Sequence, residues 1–191
     1  PYPPKFIGFI TNYKKSKRYV NYKKLKNLLK TDKKQIKFVS VLVKPNNEIL
    51  EKIKDLNFDY YQLYDVDSTR TMEIKKKYKT KIITALTISS KKDVDRYKDY
   101  LKISDIILFD SKGYHKSKSF DHRLLEKVPR KINKMIAGNI QIDDISNFNN
   151  KNFHIDLSGS VENNEGKKDI NKIDKLLNLF AKLWKLKKKF H

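Results

Sequence analysis

The sequence predicts an α/β protein, a (β/α)8 TIM barrel with seven of its eight βα units present, and three observations lead there. Short runs rich in Ile, Val, Phe and Tyr recur seven times along the 191 residues. The stretches between them carry apolar residues at helical spacing, and the unit repeats about every 25 residues, as parallel strands joined by helical crossovers require. Small-residue turns cluster after the last two runs, where such a barrel places a phosphate site.

The seven runs are Phe6 to Ile10, Phe38 to Val43, Phe58 to Leu63, Lys81 to Leu86, Asp105 to Phe109, Ile132 to Ala137 and Phe153 to Leu157. Helical spacing is clearest at Tyr22, Leu25, Leu28 and Leu29, at Ile49, Leu50 and Ile53, and at Ile170, Ile173, Leu176, Leu177 and Phe180. Helix starts are marked by Asn46 or Asn47 and by Ser89 or Ser90, whose side chains can accept from exposed N–H groups of a first turn. Asp143 falls in a short helix before Asn147.

An open doubly wound sheet could also be built from seven strands. Against it stands the lack of a GxGxxG turn, since the five glycines, Gly8, Gly113, Gly138, Gly159 and Gly166, lie far apart. Pro1-Tyr2-Pro3-Pro4 leads directly into a strand, so the missing unit is expected to be the first. Residues 1–191 are read as one barrel domain, incomplete at its N-terminus.

Composition narrows the function classes. There is no cysteine, which excludes a disulfide framework or a Cys-based zinc site within these residues. No apolar run is long enough to span a bilayer. A cytoplasmic protein is expected, with no membrane partner, no metal and no cofactor. The formal charge of +22 would ordinarily suggest nucleic acid, yet only five of the 44 basic residues are arginine, the residue of bidentate phosphate and guanine recognition. The lysines are spread along the chain, which suits solvated positions, and no nucleic-acid partner is expected. A small anionic ligand would still be drawn in by the field. The basic tail 182–191 places Leu183, Trp184 and Leu186 as cover for the last helix.

Candidate functional residues stand at strand ends. The most informative stretch is His154 to Asp169, HIDLSGSVENNEGKKD, an apolar run that breaks into a small-residue turn and then enters a helical pattern. Such a turn leaves backbone N–H groups available to a phosphate. Gly138-Asn139 follows Met135-Ile136-Ala137, and Ser158-Gly159-Ser160 follows Ile155-Asp156-Leu157. Either turn alone is ordinary connection chemistry; together, at consecutive strand ends, they suggest a shared cradle. Asp110 ends the run Ile106 to Phe109, the position of a catalytic group or of a plain loop carboxylate. Arg18, in Lys17-Arg18-Tyr19-Val20, read alone is a solvated loop cation.

In order along the chain, these segments resemble the phosphoribosylanthranilate isomerases of tryptophan biosynthesis. Gly8-Phe9-Ile10 with Ser16-Lys17-Arg18-Tyr19-Val20 is similar to the family's second-strand GF(V/I)F and SPR-x-V segment. Val39 to Val43 resembles its VGVFV strand, Tyr61-Gln62-Leu63 its VQLHG strand and Leu108-Phe109-Asp110-Ser111 its L-(L/F)-D-(S/T) strand. Phe120-Asp121-His122 is similar to FDW, Ala137-Gly138-Asn139-Ile140 to AGGL, and Asp156 to Glu162 to DVSSGVE. Gly166-Lys167-Lys168-Asp169 matches G-x-K-D at the start of the last helix.

The resemblance implies an Amadori rearrangement of N-(5-phosphoribosyl)anthranilate to 1-(2-carboxyphenylamino)-1-deoxyribulose 5-phosphate. An acid protonates the ribose ring oxygen and opens the ring, and a base then removes the C2 proton of the Schiff base. By the same resemblance Asp110 is the acid, and Arg18 holds the anthranilate carboxylate. Gly138, Asn139, Ser158, Gly159 and Ser160 offer N–H groups to the phosphate. The chain departs from the family at Tyr64, where the family has histidine, at Asn139, at the swapped Gly159-Ser160 and in the loop Lys112 to Ser117. The family's base is a cysteine in a first-strand K-x-C-G-I segment, which is absent here. A missing first unit would account for both absences, leaving these residues alone inactive. The alternatives are a catalytically silent barrel remnant and a basic nucleic-acid-binding protein.

Overall fold

A computed structural model describes residues 3–111, 119–148 and 153–189, the last six through their backbone only. The loop Lys112 to Ser117, Trp184 and Leu186 therefore lie outside the described side chains. Seven parallel strands form one sheet in chain order. They are β1 (Phe6–Ile10), β2 (Lys37–Val43), β3 (Tyr60–Tyr64), β4 (Lys81–Ile88), β5 (Ile106–Ser111), β6 (Lys134–Ile136) and β7 (His154–Ile155). Each neighbour is reached by a crossover, and the sheet curls as seven of the eight units of a (β/α)8 barrel.

The strands read as continuous apolar runs because both of their faces are covered. Alternate residues point into the barrel: Val39, Tyr64, Ile83, Ala85, Ile106, Leu108, Met135 and Ala137 form one buried cluster, with Phe6, Val41, Val43 and Tyr60 packed on it. The intervening residues meet the helices. Leu42, Leu63 and Ile82 pack with Leu50, Ile53 and Ile74 from α2 (Asn47–Ile53) and α3 (Ser68–Tyr78). Leu25 of α1 (Tyr22–Leu28) packs with Phe38. Leu42, Leu50 and Ile74 are fully buried, and each side chain contributes about 2 kcal/mol of transfer free energy.

Helix starts follow the capping logic. Asn46 accepts from the Ile49 N–H, and Asp67 accepts from that of Arg70. Ser90 opens α4 (Lys91–Asp95) with a full capping box to Asp93. The later connections differ from the expected pattern. After β5 and β6 the chain forms 3-10 turns, His122–Leu125 and Ile142–Phe148, the second holding Asp143. Pro129 closes the first segment, and the buried positions, Phe120, Leu125 and Val128 and then Ile142 and Ile145, make runs too short to give an α-helix a long face to bury. The helical pattern returns in α5 (Ile170–Lys189).

β1 and β7 are the sheet's edges, and side chains link them at both ends. At the strand starts the Phe6 ring meets His154 edge-on, with centroids 5.4 Å apart. At the strand ends the loop after β1 reaches the turn after β7 through Arg18 and Glu162. No helix among the described residues is long and apolar enough to cross a membrane.

Candidate active site

Strand register decides which polar groups face the barrel mouth. Tyr64 on β3 is paired with Ala85 on β4, Ala85 with Leu108 on β5, and Asp110 stands two residues beyond Leu108 on the same face. Met135 pairs with His154, which places Asp156 on that face beyond β7. Tyr64, Asp110 and Asp156 thus converge at the C-terminal ends of three strands.

Asp110 is largely desolvated and doubly hydrogen-bonded. Its Oδ2 accepts from the Tyr64 hydroxyl at 2.9 Å, and its Oδ1 accepts from the Ser111 N–H at 2.8 Å. Burial pushes its carboxyl above the ordinary range, although both hydrogen bonds pull the other way. Tyr64 receives a bond from Gln62 Nε2 at 3.3 Å and is pushed well above its usual pKa by burial and the nearby carboxylates. Asp156 is raised to about 6 by burial and by the charge of Asp110, with Lys168 and Arg18 opposing the rise. Two carboxyls and a neutral phenol therefore lie together, desolvated, at the strand ends.

Arg18 lies at the same mouth. Its Nη2 donates to Glu162 Oε2 at 2.9 Å while Nε donates to Oε1 at 2.5 Å, a two-point pairing. Among the described residues nothing accepts from Nη1, so the outer Nη1/Nη2 fork stays open, and the side chain is 31% exposed. Glu162 has only 3% of its side chain exposed and also meets Lys168 at 3.1 Å and Lys17 at 3.4 Å. Burial would raise its carboxyl, but bonds from Arg18 and Lys168, with their charges, hold it at about 2.

The two small-residue turns flank this group. Gly138 has φ +97°, and an added Cβ would lie 3.0 Å from the backbone N of Ser111, so the β6 end approaches the β5 end closely. Asn139 follows with φ 55°. Ser158 and Gly159 are exposed, and Gly159–Val161 forms a 3-10 turn. Lys168 donates to the Ser158 carbonyl at 2.8 Å, which puts a positive charge beside the turn. The hydroxyls of Ser111 and Ser160 are buried with no hydrogen-bond partner among the described residues. No group of three or more metal-binding side chains occurs among the described residues.

All the residues singled out from sequence thus sit at the strand ends: Asp110 inside the mouth, Arg18 at its rim, and Gly138, Asn139, Ser158, Gly159 and Ser160 in the two turns. Asp156, Glu162 and Lys168 were not singled out. Asp156 had a signal, since it follows β7 as Asp110 follows the core of β5. Glu162 had none in local sequence, because its partner Arg18 is 144 residues away.

Comparison with known proteins agrees with this fold. The family described as "PRAI: N-(5'phosphoribosyl)anthranilate (PRA) isomerase" matches residues 3–179. The N-(5'-phosphoribosyl)anthranilate isomerase of Rhizobium rhizogenes is 30% identical over 186 residues, 92% of this chain and 83% of the relative. The solved phosphoribosyl anthranilate isomerase of Thermus thermophilus superimposes with a TM-score of 0.78 at 15% identity, over 94% of this chain and 88% of the other. An isomerase solved with reduced 1-(o-carboxyphenylamino)-1-deoxyribulose 5-phosphate gives 0.76 at 23% identity, over 90% and 84%. At these identities the solved structures establish the fold, and the sequence matches establish the kinship: the chain belongs to the N-(5'-phosphoribosyl)anthranilate isomerase family.

Proposed function

We propose that the chain binds N-(5-phosphoribosyl)anthranilate and supplies the acid half of its Amadori rearrangement, a cofactor-free step of tryptophan biosynthesis in the cytoplasm. The observation that carries this reading is the placement of Asp110, desolvated and hydrogen-bonded to Tyr64 at the end of β5, on the same side of the sheet as Arg18, which Glu162 pairs through its Nε and Nη2 alone.

In this reading the outer fork of Arg18 takes the planar anthranilate carboxylate, while Glu162 holds the inner one. The phosphate rests on N–H groups of Gly138, Asn139, Ser158, Gly159 and Ser160, with the orphaned Ser160 hydroxyl as a further donor and Lys168 supplying charge. Asp110 gives its proton to the ribose ring oxygen. The ring C–O bond breaks with its electron pair going to that oxygen, and the anthranilate nitrogen lone pair completes the Schiff base. The base that takes the C2 proton is not a cysteine among residues 1–191.

Calorimetric titration with reduced carboxyphenylamino-deoxyribulose phosphate tests the binding half. The expected result is saturable binding weakened about tenfold or more by Arg18→Met, the loss of one charge-assisted contact. Equal affinity in the wild type and Arg18→Met would remove Arg18 from the site, and no binding at millimolar concentration would remove the reading.

A further inference from the structure

We propose that Tyr64 is a positioning residue for the acid: its hydroxyl holds Asp110 Oδ2 at the barrel mouth and, through that hydrogen bond, stabilises the negative charge that Asp110 acquires on giving up its own proton. The proposal rests on reading Asp110 as the acid.

The direction of this hydrogen bond is fixed by what lies behind it. Gln62 Nε2 donates to the Tyr64 oxygen at 3.3 Å, which occupies a lone pair and turns the phenol proton toward Asp110, 2.9 Å away. Gln62 itself is buried on the same strand face. Tyr64 spans from β3 to β5 across β4, where its register partner Ala85 is small enough to leave the path clear.

A buried acid faces opposing demands. Burial favours its protonated form, which it needs in order to donate, but the same burial penalises the carboxylate left behind. The titratable groups that meet Asp110 are Tyr64 from β3 and Asp156 from beyond β7, with Arg18 and Lys168 acting on Asp156. Asp156 does not relieve the new charge, because its own charge and that of Asp110 repel one another. Only Tyr64 and the Ser111 N–H donate to Asp110 among the described residues, and the phenol, kept neutral by its burial, keeps a proton to share. A hydrogen bond to an ionised acceptor is about twice as strong as one to a neutral acceptor, so this contact strengthens as the proton leaves.

The experiment is a titration of the 191-residue chain with 13C-labelled aspartate carboxyls, the Asp110 signal being identified by its loss in Asp110→Asn. Tyr64→Phe is expected to raise the Asp110 midpoint by about one pH unit, a tenfold tighter proton. A folded Tyr64→Phe variant with an unmoved midpoint overturns the proposal. If that variant does not fold, the wild-type chain labelled at tyrosine Cζ decides. The Tyr64 signal should inflect at the Asp110 midpoint and lose that inflection in Asp110→Asn; a flat trace overturns the proposal. Neither measurement uses substrate, so a failed isomerase reading and a failed Tyr64 coupling remain distinguishable.

Discussion

Arg18, on the loop after β1, and Glu162, on the turn after β7, form a two-point ion pair that joins the two edges of an open seven-stranded sheet. The pair holds the rim of the candidate site and leaves the second fork of the guanidinium free. Because Glu162 is desolvated, its value comes from good geometry and from the extra cations Lys17 and Lys168.

Glu162→Gln should therefore destabilise the chain by about 2 kcal/mol at neutral pH, the upper figures for buried pairs being reduced by the partial exposure of Arg18. The pH dependence has a definite sign. A carboxyl held at about 2 rather than its ordinary 4.5 stabilises the fold above pH 4.5, and that stability is lost as pH falls toward 2. Urea unfolding at pH 7, 4 and 2.5 should show this acid slope in the wild type and a shallower one in the variant. Identical slopes would mean that the pair contributes nothing.

Asp156 has the opposite sign. Its folded value of about 6 lies above the ordinary 3.8, so the stability it contributes is complete below pH 3.8 and is lost as pH rises through 6. Asp156→Asn removes this titration. It should be more stable than the wild type above pH 6, by about 2 kcal/mol, with the difference vanishing near pH 4. Chemical denaturation at the two pH values checks it, and a variant less stable at pH 7 would contradict it.

Gly138→Ala should cost about 1–3 kcal/mol, because alanine would have to hold φ +97° against the Ser111 backbone. If the turn also cradles phosphate, affinity for the phosphorylated analogue should fall more than affinity for anthranilate alone. Calorimetry with both ligands separates a local loss from general unfolding.

Asp110→Asn should abolish turnover in the chain extended by a K-x-C-G-I strand while leaving analogue binding largely intact. The amide keeps the shape and the contacts at Oδ1 but carries no proton to give. Retained turnover would take Asp110 out of its role.

Much of this was legible in the sequence, for identifiable reasons. The seven strands were marked by doubly covered apolar runs, and their ends pointed to Asp110 and to the two turns. Arg18 stood out only through the order of motifs around it. What the sequence concealed depends on curvature and long-range proximity. Tyr64 was visible as a departure from histidine, but its bond to Asp110 exists because the sheet bends two strands toward each other. Glu162 reads only as the end of the Asp156 to Glu162 turn segment until the sheet brings Arg18 to it. The 3-10 turns after β5 and β6 were read as helical because their few apolar residues fit either spacing.

Ala85 carries no polar atom in its side chain and meets no ligand in this reading, yet it lies beneath the reach of Tyr64 to Asp110. A bulkier side chain there would lift the phenol away from the acid and leave Oδ2 bare. On the proposed role of Tyr64, the proton affinity of a group on β5 would be governed in part by a methyl on β4, so that steric room on one strand is expressed as acidity on the next.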